Sequence, residues 1–101
     1  MEARSLAHES AYHDELQELD TETQERIKEA VHEASLMEHP TEHPKMKPLA
    51  GHMDLYRLRI GKFRAICDKH MGWLRVLKIG HREKIYREDS LEQVKFRMQQ
   101  R

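Results

Sequence analysis

Arg57, Arg59, Arg64, Arg75, Lys78, Arg82, Lys84 and Tyr86 all fall within one stretch of the chain, Asp54 to Arg87. A guanidinium is a planar, permanently charged fork that grips phosphate or carboxylate at two points, and a lysine ammonium adds a compact charge. A tyrosine ring among such groups can stack on a base or donate a hydrogen bond. The chemistry these residues share is recognition of a polyanion. It requires a scaffold that brings them to one surface.

That scaffold reads as three consecutive antiparallel strands: Leu55 to Ile60, Phe63 to Asp68 and Trp73 to Gly80. Gly61-Lys62 joins the first two, with glycine where a type II′ hairpin turn needs it. Alternation sorts the first strand into Tyr56, Leu58 and Ile60 on one side and Leu55, Arg57 and Arg59 on the other. One face is fit for burial and the other carries cations. From His8 to Leu19, Tyr12, Leu16 and Leu19 recur at helical spacing with acids between them. A second helix runs from Asp20 to about Met37 over Ile27, Ala30, Val31, Ala34 and Met37. Asp20 offers a cap for it, and Thr21 followed by Gln24 fits a capping box.

Residues 1–7 allow a short edge strand around Ala3 to Ala7. Pro40, Pro44 and Pro48 make Glu38 to His52 an extended connection. After the sheet, Ser90 and Gln93 stand at capping-box spacing ahead of a C-terminal helix with Leu91, Val94 and Met98 on one stripe. The expected order is β-α-α-β-β-β-α, an α+β fold whose helical hairpin covers the apolar face of a small, mostly antiparallel sheet. The opposite face is left free for Arg57, Arg59 and their neighbours.

With 101 residues and no internal repeat, the chain is expected to form a single domain, 1–101. No apolar run reaches bilayer length and no basic-then-apolar leader opens the chain, so no membrane role and a cytoplasmic location are expected. The formal net charge of zero conceals a division. Residues 1–44 hold twelve acids against three bases, net −9, and residues 45–101 hold fifteen bases against six acids, net +9. This asymmetry either points the C-terminal half at a polyanion or acidic partner, or lets the two halves neutralise one another. Cys67, alone and inside a strand pattern, reads as a buried small hydrophobe. His39 and His43 are four apart, yet Pro40 and Pro44 break the helix that would align them, so neither a metal nor any other cofactor is expected. Trp73 and the scattered methionines read as packing residues.

Lys47-Pro48-Leu49-Ala50-Gly51, Tyr56 to Arg64 (YRLRIGKFR), Ile79-Gly80-His81-Arg82 and Ile85-Tyr86-Arg87 resemble, in joint order and spacing, the RelE toxins of the RelE/ParE superfamily. The preceding helix pair, with Gln24-Glu25-Arg26-Ile27, resembles the same family. The resemblance implies a type II toxin-antitoxin toxin, a ribosome-dependent endoribonuclease that cleaves messenger RNA in the A site and inhibits translation. It implies a cognate antitoxin as partner, contact with the ribosome and messenger RNA, and operator DNA bound only through the antitoxin. By position it designates Arg57, Arg59, Arg64, Arg82 and Tyr86 as the functional groups; Arg59, Arg64, Arg82 and Tyr86 are expected to be catalytic, and Arg57 and Arg59, with Lys78 and His81 beside them, to bind RNA. Several RelE members carry lysines where this chain has Arg57 and Arg59, which bears on mechanism.

Metal-free cleavage by the 2′-OH needs a proton acceptor, donors for the charge added at phosphorus, and an acid for the leaving 5′-oxygen. Arginine suits the second task and, with a pKa above about 12, not the first. Arg64 and Arg82 are therefore expected to stabilise phosphate, and Arg57 and Arg59 to contact the backbone and transition state. Tyr86 either stacks on a base or hydrogen-bonds near the 2′-OH, or else packs at the end of its strand. His81 is the neighbouring group able to titrate, although a structural role suits it better. Two other readings stand beside the nuclease: a ParE-like inhibitor of DNA gyrase on the same scaffold, and an inactive relative that binds an antitoxin.

Overall fold

The computed structural model describes residues 9–99. Helices α1 (Glu9–Gln17) and α2 (Thr21–Ser35) lead through a 3₁₀ turn, Pro40–Glu42, into strands β1 (Met46–Pro48), β2 (Tyr56–Ile60), β3 (Phe63–His70) and β4 (Trp73–His81). Helix α3, Glu88–Met98, follows. The strands form one antiparallel sheet in the order β1-β2-β3-β4. This is the expected α+β architecture, with the three long strands within a few residues of their predicted limits. The edge strand allowed at Ala3 to Ala7 lies outside the described residues.

The sheet's first edge is instead β1, within the segment expected to be only a connection. Pro48 suits this edge strand as well as it suits a connection, because a backbone nitrogen on the outer side of an edge strand pairs with nothing and proline there forfeits no ladder bond. Gly61 takes φ +58 in the β2–β3 turn, as a type II′ loop requires. Met71 and Gly72 are both left-handed, φ 55 and 84, giving β3 and β4 a type I′ connection.

Helices α1 and α2 lay Tyr12, Leu16, Ile27, Val31 and Ala34 against Leu58, Ile60, Ala65, Cys67, Val76 and Ile79. Cap chemistry at α2 differs from the expected box. Asp20 accepts from Thr23 N at 2.8 Å, while Gln24 turns back to donate to the Leu19 carbonyl at 2.8 Å.

The other sheet face is not left free as expected. Leu55, Ile66, Leu77, Ile85 and Val94 form a second core, joined by Leu49, Tyr86, Leu91 and Met98. Alternation from Arg75 puts Leu77 on this face, and a bulge follows it: Ile66 pairs with Lys78 and Cys67 with Val76, so Leu77 has no partner of its own. Eleven residues of helix are marginal alone, so α3 depends on this contact. It starts at Glu88, ahead of the Ser90–Gln93 box expected to open it. Ser90 is buried within the first turn, and its Oγ has no hydrogen-bond partner among the described residues.

The far end of α3 explains Arg75, which was counted among the cations of the polyanion surface. Arg75 is 1% exposed and binds Asp68 through two parallel bonds, Nε to Oδ1 at 2.8 Å and Nη2 to Oδ2 at 2.6 Å. Nη2 also donates to the Met98 carbonyl at 2.8 Å, setting a cation on the negative end of the helix. Among the described residues no helix is long and apolar enough to cross a membrane.

Candidate functional site

Half of the second face stays open, where β1, β2 and the start of β3 extend beyond α3. Alternation and register decide what lies there. Lys47 is opposite Arg57, and Arg59 is opposite Arg64. The Lys45 carbonyl accepts from Arg59 N at 3.0 Å, which continues the β1–β2 ladder to Lys45. Lys45, Lys47, Arg57, Arg59 and Arg64, with Pro44, line a cleft of about 200 Å³. Among the described residues no carboxylate lines it, and none of the five cations makes an ion pair.

Lys45, Lys47, Arg57 and Arg59 are solvent-exposed, so their charges carry little desolvation cost. Arg64 is half-buried and fixed: Nη1 donates to the Gly61 and Phe63 carbonyls, each at 2.8 Å. Its Nε and Nη2 are left without a partner among the described residues. A guanidinium held in this way faces a ligand with little rotamer freedom left to lose.

Of the sequence-predicted residues, Arg57, Arg59 and Arg64 are brought together in this cleft and the others are not. Arg82 is exposed just beyond it. Its N–H donates to the Lys62 carbonyl at 2.8 Å, and Arg82 stands two residues past Gly80, the partner of Arg64. Tyr86 packs into the second core, with a buried hydroxyl that finds no partner among the described residues. His81 pairs with Phe63 on the helical side, its ring edge-on to the phenyl with centroids 5.8 Å apart. Its Nδ1 accepts from Glu83 N at 3.1 Å.

Lys78 is consumed at the outer edge of β4. Its Nζ donates to Glu15 Oε2 at 3.0 Å and Gln93 Oε1 at 2.6 Å. Glu15 also accepts from Ile79 N and Arg97 Nη1, each at 3.0 Å, while Arg97 reaches the Leu77 carbonyl at 2.8 Å. One carboxylate from α1 thus closes the bulged strand edge and ties it to α3, which protects backbone groups an edge strand would expose. Here the acidic first half of the chain does neutralise the basic second half. At the cleft no ion pair joins the two halves among the described residues, although Glu29 and Glu33 of α2 line a neighbouring pocket together with Lys45 and Arg59.

Sequence reasoning missed Lys45 and Lys47. The available signal was their two-residue spacing, which in a strand puts both on one side, but the segment with its flanking prolines reads as an extended connection with no register to a neighbour. Cys67 is as expected: burial, and secondarily the Asp68 charge, pushes its thiol well above the usual range, so it stays protonated and unreactive. His39 and His43 serve local structure. His39 Nδ1 accepts from Thr41 N at 3.3 Å in the 3₁₀ turn. His43 Nδ1 accepts from Lys45 N at 3.1 Å, so its Nε2 carries the proton facing Glu33 Oε1 at 3.2 Å. Chemically, the cleft is suited to binding anions and stabilising added negative charge, and among the described residues neither a histidine nor a carboxylate lines it for proton transfer.

Residues 9–86 match the family described as ParE toxin of type II toxin-antitoxin system, parDE. Among solved structures, the chain is similar in fold to a chain of the RelB-RelE antitoxin-toxin complex from Methanococcus jannaschii. The TM-score is 0.62 at 20% sequence identity, over 75% of this chain and 89% of that one. No curated protein sequence matches significantly.

Proposed function

Because the chain belongs to the ParE toxin family of type II toxin-antitoxin systems, within the RelE/ParE superfamily, we propose that it is a translation-dependent endoribonuclease of the RelE kind. The observation that carries this reading is the cleft of five cations, Lys45, Lys47, Arg57, Arg59 and Arg64, which no described carboxylate lines. Unpaired guanidiniums and ammoniums held on a rigid sheet suit a phosphodiester whose negative charge grows during reaction. Arg64, fixed by two carbonyls, is the phosphate-stabilising group, and Arg82 approaches from beyond it. The ribosome supplies positioning and the proton transfers for which the cleft has no histidine or carboxylate. Tyr86 acts on RNA only after a rearrangement that frees its hydroxyl from the second core. A cognate antitoxin, such as accompanies the toxin in the similar complex, restrains the activity in the cytoplasm.

The match to the ParE family favours a second reading, inhibition of DNA gyrase. Inducing the protein without an antitoxin, and mapping messenger RNA 5′ ends against the reading frame, separates the two. Cuts confined to translated messages and phased to codons are expected. Growth arrest with intact messages and DNA damage would replace the nuclease by the gyrase reading.

A further inference from the structure

His43 closes the 3₁₀ turn, and its ring, 6% exposed, joins helix α2 to the segment that enters β1. Nδ1 accepts from Lys45 N at 3.1 Å, and Nε2 donates to Glu33 Oε1 at 3.2 Å. Lys45 is also where the β1–β2 ladder begins, since its carbonyl accepts from Arg59 N at 3.0 Å. The strand that follows has three residues and lies at the sheet edge, so few backbone bonds hold it. We propose that His43 is the positioning residue of β1 and that a proton controls it. Neutral, the ring fastens the start of β1 to α2; protonated, it keeps α2 and lets the start of β1 go.

The reason lies in the two nitrogens. A neutral imidazole has one donor and one acceptor, whereas an imidazolium has two donors. A proton added at Nδ1 sets a donor against the Lys45 N–H and abolishes that bond. The same charge strengthens the bond from Nε2 to the Glu33 carboxylate. One event therefore acts in opposite directions on the two elements that the ring joins. Other charges line the same pocket. From α2, Glu29 adds to Glu33 in favouring the imidazolium and Arg26 opposes it, while Lys45 and Arg59 oppose it from the sheet. Of these side chains only that of Glu33 hydrogen-bonds the ring among the described residues. Glu42, in the turn itself, is engaged with His39 N at 3.2 Å.

The segment so controlled carries Lys45 and Lys47, so protonation would loosen these two cations of the cleft and leave Arg57, Arg59 and Arg64 on β2 and β3. That the lysines act on RNA rests on the nuclease reading, whereas the anchor itself does not.

The test follows backbone hydrogen exchange and the imidazole nitrogen resonances of the isotope-labelled, full-length protein from about pH 8 to about pH 5, the range in which histidines change charge. Exchange is corrected for its intrinsic pH dependence. At the upper limit the His43 ring should carry its proton on Nε2. On acidification the protection of the Lys45 amide should fall about tenfold, as for the loss of one hydrogen bond of ordinary strength, and that of Arg59 should fall with it. The β3–β4 ladder should keep its protection. His43→Asn retains an acceptor two residues before Lys45 and takes no proton, so its Lys45 amide should stay level. His39→Asn, the control for a proton taken up elsewhere in the turn, should follow wild type.

A level Lys45 amide in wild type would overturn the proposal. So would a fall in His43→Asn as deep as in wild type, or no fall in His39→Asn, which would give the proton to His39. Glu33→Gln removes the charge that draws the imidazolium to α2 and should move the fall to lower pH; an unmoved midpoint would overturn the exchange of partners. No RNA enters these measurements, so the anchor stands or falls apart from the nuclease reading.

Discussion

Under α3, the Arg75 guanidinium is closed over by the second core, with Asp68 on one side and the end of the helix on the other. On the same face, past the limit of that core, Arg57 and Arg59 stand in solvent and Arg64 is tied only to backbone carbonyls. One residue type therefore does two jobs on one surface. Burial forces the covered arginine to find a carboxylate, because an unpaired charge there costs several kcal/mol. Exposure relieves the open arginines of that need and leaves their charge for a ligand. The lesson is that a cationic strand face cannot be read as one patch until it is known what packs over each part.

Removing partners should expose this contrast most sharply. Arg75→Ala strands the Asp68 carboxylate and unfastens α3, and should cost about 3–5 kcal/mol in urea unfolding. Arg64→Ala should leave stability within about 0.5 kcal/mol while abolishing most growth arrest. If the two variants exchanged effects, the division of the face into structural and functional halves would be lost. Glu15→Gln probes the boundary, where α1 reaches Lys78, Arg97 and Ile79 N. Hydrogen bonds to a charged group contribute roughly 1.5–3 kcal/mol when partly buried, so a loss near the lower end is expected, with accelerated hydrogen exchange at Ile79.

The smallest change should come at Asp20, outside both regions. Bonds from Thr23 hold its carboxyl below the ordinary value of 3.8. A depressed folded value means that the charged cap stabilises fully above pH 3.8 and is lost as pH falls through the lower folded value. The urea midpoints of wild type and Asp20→Ala should differ at pH 7 and converge below that window. A constant gap down to pH 2 would show that the cap acts through packing.

Much of the fold was legible because local rules acted alone. Glycine at the first turn position gave the β2–β3 hairpin, alternation gave the buried set Leu58 and Ile60, and helical spacing gave Leu16, Ile27 and Val31. Part of the site was legible for the same reason, since Arg57, Arg59 and Arg64 follow from alternation and register once the hairpin is placed. The errors arose where a distant segment decided. Nothing near Arg75 in sequence announces that α3 will cover it, and nothing near Tyr86 shows that its hydroxyl will be enclosed. Lys45 and Lys47 were hidden by prolines that an edge strand accepts.

The amino-acid order by itself determined the two helices, the three long strands and the accumulation of base in the second half, because propensity, turn chemistry and periodicity act over a few residues. Tertiary structure alone decided which bases remain free. That choice depends on α3 settling over part of one face and on Glu15 reaching across from α1. Each joins residues far apart in the chain, and only their meeting separates the charges that fold the protein from those left to bind.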